Sequence, residues 1–144
     1  MTKLTRRAAI GALGAGAAAC AKPAVKSPFD AAGAKAAGVF AHGVASGDPA
    51  YDSVVIWSRL TPETPEPVAV VWEVSETEAF TRLAASGEIS AAPENDFTLK
   101  AVTAGLKPGR RYFYRYRAGD TISPVGRTRT VPEGRLDAAR FAVV

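Results

Sequence analysis

The sequence predicts an all-β protein: an antiparallel sandwich that follows an N-terminal signal peptide. Short apolar segments rich in β-branched and aromatic residues recur along the chain, apolar and polar residues alternate with a period of two, and turn residues separate the segments. A parallel sheet is disfavoured, because its strands need crossovers of a dozen or more residues. The chain has 144 residues, which is enough for about one domain.

Residues 1–21 have the composition of a signal peptide of the twin-arginine type. A basic start that includes Arg6 and Arg7 precedes a Gly- and Ala-rich apolar stretch that is too short to cross a bilayer as a helix. We therefore expect the twin-arginine translocase to export the protein to the periplasm or the cell exterior. Cys20, the only cysteine, excludes an intramolecular disulfide. It is a candidate lipidation site that would anchor the protein in a membrane, although cleavage after Ala19 or Ala21 fits equally well.

Residues 22–38 are rich in Ala, Lys and Pro, show no period, and are predicted to form a linker or a loose arm. The formal net charge is +4, but Lys3, Arg6 and Arg7 supply three of these charges. Most of the basic excess therefore belongs to the leader. No nucleic-acid partner is predicted from basic patches in the body.

The body, residues 39–131, contains the predicted strands. They are 53–60, 68–75, 97–103, 111–119 and 125–131, with a rigid loop at 61–67 that holds three prolines. We expect Trp57 and Trp72 to lie in the core. In segment 111–119, three tyrosines alternate with Phe113, Arg115 and Arg117. Residues 76–87 are compatible with either a helix or a strand. The glutamates scattered between Glu63 and Glu78 predict a solvated face rather than a carboxylate pair.

The segment GLKPGRRYFY, residues 105–114, predicts the type of sandwich. It places Leu106, Pro108, Gly109 and Tyr112 in order at the start of a strand. In sandwiches of the immunoglobulin and fibronectin type III kind, a tyrosine at this corner hydrogen-bonds the backbone a few residues upstream. Tyr112 is therefore predicted to have a structural role in an immunoglobulin/fibronectin type III-like fold.

The segment HGVASGDP, residues 42–49, combines the only histidine with two glycines, an aspartate and a proline. His42, Ser46 and Asp48 could in principle form a catalytic triad, but closeness in sequence says little about a spatial arrangement. Gly43, Gly47 and the Asp48-Pro49 pair are better explained by turns that need backbone freedom. No catalytic, cofactor-binding or metal-ligating residue is predicted in this chain, which also lacks the ligand spacing of a zinc site.

Three segments taken in order resemble the opening of the alkaline phosphatase D family, also called PhoD-type phosphatases. They are FAHGVASGDPAYDSVVIWSRLTP, GLKPGRRYFYRY and SPVGRTRTVPEG, and the resemblance they carry covers about residues 39–144. Asp48, Trp57 and Arg59 lie within the matching stretches, and we expect them to have structural roles. Ser58 is a departure, because the family often has a threonine there. A twin-arginine leader is also usual for this family.

The resemblance implies an immunoglobulin-like N-terminal domain followed by a larger α/β metallophosphoesterase domain that uses iron and calcium. Residues 132–144 would then be the interdomain linker and the first strand of that domain, with the metal ligands beyond Val144. The 144 residues would be an N-terminal fragment, inactive alone, whose partners are the parent's own catalytic domain and, in the full-length enzyme, its phosphate-ester substrate. The parent would hydrolyse phosphomonoesters and phosphodiesters.

Two other functions remain open at this point. The chain could be a stand-alone secreted binding module of the fibronectin type, or the N-terminal domain of a purple-acid-phosphatase-like enzyme. The apolar segment FAVV, residues 141–144, disfavours the stand-alone module, because an exposed apolar β-rich terminus promotes aggregation.

Overall fold

The computed structural model describes residues 38–134. The predicted signal peptide with Arg6 and Arg7, the candidate lipidation site Cys20, most of the arm and the strand predicted near the C-terminus lie outside these residues. Within the described part, no helix has the length and apolar character needed to cross a membrane.

Residues 38–134 form ten strands and one short 3-10 turn. The strands are β1 (Gly38–Val39), β2 (Val44–Gly47), β3 (Val54–Arg59), β4 (Thr61–Pro62), β5 (Val68–Ser75), β6 (Leu83–Ala91), β7 (Thr98–Thr103), β8 (Arg111–Ala118), β9 (Thr121–Ile122) and β10 (Gly126–Arg129). The 3-10 turn, Pro93–Asn95, joins β6 to β7. Every strand pair is antiparallel.

Two sheets form the sandwich that the sequence predicts. The smaller sheet has the strand order β2-β3-β7, and the larger has the order β10-β8-β5-β6 with β9 added at the end of β8. Strands β1 and β4 form a separate two-stranded pair. The sheets meet at both sides, where β6 contacts β7 and β10 contacts β2. The prediction of an all-β antiparallel sandwich is confirmed.

The core lies between the two inner faces. The smaller sheet contributes Val54, Ile56 and Leu99, all almost fully buried. The larger sheet contributes Val70, Val74 and the three tyrosines of β8, at positions 112, 114 and 116. In both sheets the buried residues alternate with exposed or half-buried ones, as the period-two pattern predicts.

The two tryptophans lie in different places. Trp72 faces inward and packs partly buried against the core, next to Gly87 on β6. Trp57 lies on the outer face of the smaller sheet, in register with Ala45 and Lys100, and is not part of the core cluster. The prediction that Trp57 is a core residue is wrong. The inward residues of β3 are Val54, Ile56 and Ser58, so the position between the last two must face outward.

The segment that sequence left undecided is not a helix. Residues 76–82 form turns, and β6 then runs from Leu83 to Ala91 along β5. This strand was missed beyond residue 87 because small residues alternate on it, so its apolar signal is weak.

Candidate functional site

The segment at residues 42–49 is a turn, a strand and a second turn. The N–H of Gly43 donates to the carbonyl of Phe40 (3.3 Å), and Gly43 has φ +68°, which favours glycine. Residues 44–47 form β2 on the smaller sheet. At its far end Asp48 takes a positive φ of 47°, just before Pro49. Gly47 has no positive φ, so the prediction that Gly47 needs glycine's freedom is wrong: Asp48 makes the turn.

The residues considered as a triad do not come together. His42 and Asp48 flank β2 at opposite ends, six residues apart, which corresponds to roughly 20 Å in an extended strand. The Ser46 side chain hydrogen-bonds Tyr114 instead. None of the three is therefore positioned to activate another, in agreement with the prediction that the segment is structural.

His42 belongs to a different cluster, centred on Arg59. The Arg59 guanidinium donates two hydrogen bonds to the Asp96 carboxylate, Nη2 to Oδ1 at 2.8 Å and Nε to Oδ2 at 3.0 Å. Its Nη1 lies 2.9 Å from His42 Nε2. Arg59 Nε also reaches the Asp96 carbonyl at 3.1 Å. This cluster joins the turn before β2, the end of β3 and the turn between β6 and β7.

The ion pair between Arg59 and Asp96 has a structural role, because it holds two distant segments of the chain together. The hydrogen bond between Arg59 and Asp96 raises the pKa of Arg59 and lowers that of Asp96, so both groups stay charged over the ordinary pH range. Asp96 holds a left-handed backbone, φ 54°, in which its side chain meets the guanidinium. The sequence placed Arg59 among the structural residues but gave no signal for Asp96, which lies 37 residues further along the chain.

The opposite end of the sandwich contains the predicted tyrosine corner. The Tyr112 hydroxyl accepts a hydrogen bond from the N–H of Lys107 at 2.8 Å, and Tyr112 is buried. Leu106 is buried beneath the turn, and its N–H donates to the carbonyl of Asp52 at 2.9 Å. Gly109 has φ +65°. The structural role predicted for Tyr112 is confirmed.

An open groove lies at this same end, where the described chain leaves the sandwich. It is lined by Pro49, Ala50 and Tyr51 on one side and by residues 131–134 on the other. The N–H of Val131 donates to the carbonyl of Ala50 at 2.9 Å, which fixes the two sides together. Tyr51 is 55% exposed, and so presents a large apolar surface beside the exit of the chain.

The outer face of the larger sheet has a charged cluster that sequence did not predict. Glu73 is only 7% exposed. Its carboxylate accepts hydrogen bonds from Arg115 Nε at 2.6 Å and from Arg117 Nη1 at 3.3 Å. The Arg115 guanidinium also lies over the Phe80 ring, 4.1 Å from its centre. Glu73 was expected on a solvated face, and this expectation is wrong. Cross-strand pairing, which a single sequence does not display, brings the arginines of β8 beside it.

These features define a class: a β-sandwich domain of the immunoglobulin type, whose turns are held by the Arg59 cluster at one end and the tyrosine corner at the other. Among residues 38–134, no three His, Cys, Asp or Glu side chains gather into a group that could hold a metal ion. The chain belongs to the family of the PhoD-like phosphatase N-terminal domain, which matches residues 24–132. Of the two phosphatase classes left open by the sequence, the match is to the PhoD type.

Two relatives place this domain within longer proteins. Alkaline phosphatase D of Bacillus subtilis (strain 168) is 40% identical over 100 residues, which cover 65% of this chain and 17% of the relative. A solved structure of PhoD is similar with a TM-score of 0.64 and 38% identity, over 71% of this chain and 21% of that one. The chain thus spans about a fifth of the length of the proteins it matches.

Proposed function

We propose that the chain is the accessory N-terminal domain of a phosphoesterase of the alkaline phosphatase D type, and that it takes no part in bond breaking. The observation that carries this proposal is the 40% identity with alkaline phosphatase D, confined to 17% of that protein. The remaining length of such a relative is ample for a separate catalytic domain, which would hydrolyse phosphomonoesters and phosphodiesters.

Iron and calcium would belong to that catalytic domain. Bound metal ions supply a nucleophilic hydroxide and stabilise the charge that develops on the phosphate. The donors of residues 38–134 do not fit such ions, because none of their acidic, His or Cys side chains forms a group of three. We therefore assign no metal ligand and no step of the hydrolysis to this part of the chain.

The partner of the domain would be the catalytic domain that follows it. The groove beside the chain exit supports this proposal: Tyr51 and the proline rings at positions 49 and 132 offer an apolar surface next to the point of attachment. A short connection keeps two domains at a high effective concentration, so a modest apolar contact is enough to hold them together.

Export would precede this role. The twin arginines Arg6 and Arg7 would direct the folded protein to the twin-arginine translocase, and lipidation of Cys20 would retain it at the membrane. The double substitution Arg6→Lys, Arg7→Lys should leave the precursor in the cytoplasm, measured by fractionation and immunoblotting. Export of the double variant at the normal level would contradict the assignment. If a Cys20→Ser variant still fractionated with membranes, lipidation of Cys20 would not be what retains the protein there.

A domain exchange tests the accessory role. Residues 38–134 replace the matching segment of Bacillus subtilis alkaline phosphatase D, and hydrolysis of p-nitrophenyl phosphate is compared with that of the same enzyme lacking the segment. We expect deletion of the segment to abolish soluble, active enzyme and the chimera to restore it. The 144-residue chain alone should hydrolyse the substrate no faster than buffer does. Hydrolysis by the chain alone, or no recovery in a folded chimera, would contradict the proposal.

A pair of variants of the chimera tests the groove. Tyr51→Ser should lower the melting temperature of the chimera more than that of the isolated 144-residue chain, because only the chimera buries Tyr51. Val102→Ser is the matched control, since Val102 is 65% exposed on the outer face of the smaller sheet. Equal effects of Tyr51→Ser in the two proteins would place the catalytic domain elsewhere.

A further inference from the structure

Arginine is the only charged residue type on strands β8 and β10. Their sequences, RYFYRYRA and GRTR, contain five arginines and no lysine, aspartate or glutamate. The register pairs Arg129 with Arg111 and Arg127 with Phe113, opposite the tyrosines that face the core. All five arginines therefore lie on the outer face of the larger sheet: Arg111, Arg115, Arg117, Arg127 and Arg129.

Only two of these five arginines form an ion pair within the described residues. Arg115 and Arg117 share the buried carboxylate of Glu73. Arg111, Arg127 and Arg129 are exposed and make no ion pair with the carboxylates of residues 38–134. These three line a shallow depression together with Thr128, and we call them the arginine face.

Charge repulsion within the arginine face lowers the stability of the sheet. Like charges placed directly opposite each other on antiparallel strands are destabilising, and Arg129 is directly opposite Arg111. The acidic residues of this side of the sheet, Glu73 and Glu88, lie on β5 and β6, away from β10. The sheet thus presents positive charge along one edge, where an anion would relieve the repulsion.

We propose that the arginine face binds a phosphodiester polymer, a proposal that rests on the proposed function as part of an enzyme acting on phosphate esters. The guanidinium group matches phosphate in a planar, two-pronged geometry that an ammonium group cannot supply, and this face contains arginine alone. Guanidinium also pairs with carboxylate in this geometry, as Arg59 does with Asp96, so the choice of phosphate rests on the proposed function and is tested against polyglutamate.

The total charge of the arginine face and its spread over two strands favour a polymer over a single phosphate. Arg127 and Arg129 are two residues apart on one strand, which separates their Cα atoms by about 7 Å. Arg111 is on the neighbouring strand, roughly 5 Å away. Three guanidiniums carry more positive charge than one phosphate ion can neutralise, whereas successive phosphates of a flexible chain can each meet one guanidinium. The face would hold a polymeric substrate close to the catalytic domain and raise its local concentration.

Binding of an abasic oligodeoxyribose phosphate decamer to the 144-residue chain tests the proposal. This probe has phosphodiesters but no bases, so stacking does not contribute, and labelled probe is followed by fluorescence anisotropy across salt concentrations. We expect three phosphate contacts to give a slope of log K against log salt of about −2, from roughly −0.7 per contact on a single strand. Inorganic phosphate should bind far more weakly than the decamer.

Matched variants separate the arginine face from general charge. Arg127→Gln, Arg129→Gln should weaken decamer binding about tenfold or more at low salt and flatten the slope. Arg82→Gln, Lys100→Gln makes the same charge change at exposed positions elsewhere and should leave binding unchanged. Thermal melting confirms that each variant is folded.

Two results would overturn the inference. Equal weakening by both double variants would show that net charge alone attracts the probe. Polyglutamate of equal charge binding as tightly as the decamer would assign the face to an acidic protein surface. Both measurements report binding and not hydrolysis. They can therefore contradict the arginine face while the domain exchange supports the proposed function, or support the arginine face while the domain exchange contradicts that function.

Discussion

Two tyrosines on one strand predict opposite effects of the same substitution. Tyr112 and Tyr116 both lie on β8, both face the core, and both are almost fully buried. The Tyr112 hydroxyl accepts the N–H of Lys107 at 2.8 Å, whereas the Tyr116 hydroxyl has no hydrogen-bond partner among the described residues. Replacing each by phenylalanine removes one oxygen atom and changes little else.

The magnitudes follow from what each oxygen does. Without the Tyr112 hydroxyl, the part-buried N–H of Lys107 loses its acceptor, and such a loss costs about 1–3 kcal/mol of unfolding free energy. The Tyr116 hydroxyl already carries this kind of penalty. Tyr116→Phe should therefore be neutral or stabilise the fold by about 1 kcal/mol, the small cavity offsetting part of the gain.

Urea unfolding followed by tryptophan fluorescence measures both values. Each 1 kcal/mol should also shift the melting temperature by about 4–8 °C in a domain of this size. The slope of free energy against urea should stay constant, because neither substitution changes the area exposed on unfolding. If Tyr112→Phe were as stable as the unaltered chain, or Tyr116→Phe lost as much as Tyr112→Phe, the reasoning would be refuted.

Three further predictions concern packing and pH. Gly87→Ala should destabilise by about 1–3 kcal/mol, because its Cβ would lie 2.5 Å from the Trp72 ring, whereas Gly47→Ala has open space and should be neutral in urea unfolding. Asp96→Asn should lower the unfolding free energy above about pH 4 and have little effect in acid, because the arginine partner lowers the pKa of the Asp96 carboxyl. If the unfolding free energy of the variant fell in acid just as that of the unaltered chain does, this reasoning would be contradicted. Burial raises the pKa of Tyr116, so stability should fall as pH rises above about 10, where the unfolded chain ionises first. Tyr116→Phe should flatten this alkaline decline, and an identical decline in the variant would exclude Tyr116 as its cause.

Residue periodicity predicted the sandwich well. The alternation along β8 put tyrosines on one face and arginines on the other, and the spacing from Leu106 to Tyr112 correctly predicted a hydrogen-bonded corner. Prediction failed where the local sequence pattern did not indicate which face of a strand is buried. Trp57 is an aromatic residue in an apolar strand, and only the register with its neighbours puts it on the outer face.

The charged clusters could not be predicted from the sequence for a related reason. Arg59 meets Asp96, and Glu73 meets Arg115, through separations of 37 and 42 residues along the chain. Such contacts depend on strand order and on left-handed turns, as at Asp96, which local sequence does not specify. Gly47 shows the converse: a glycine beside a proline turn suggested backbone freedom, yet Asp48 adopts the positive φ.

The central claim is that this domain serves a separate catalytic domain of a phosphoesterase. The most direct measurement is the nucleotide sequence that follows the codon for Val144. The account predicts an open reading frame that soon encodes a cysteine and then Asp-, Asn- and His-containing metal-binding segments. A stop codon at that point would contradict the account and make the chain a β-sandwich that works without a catalytic domain of its own.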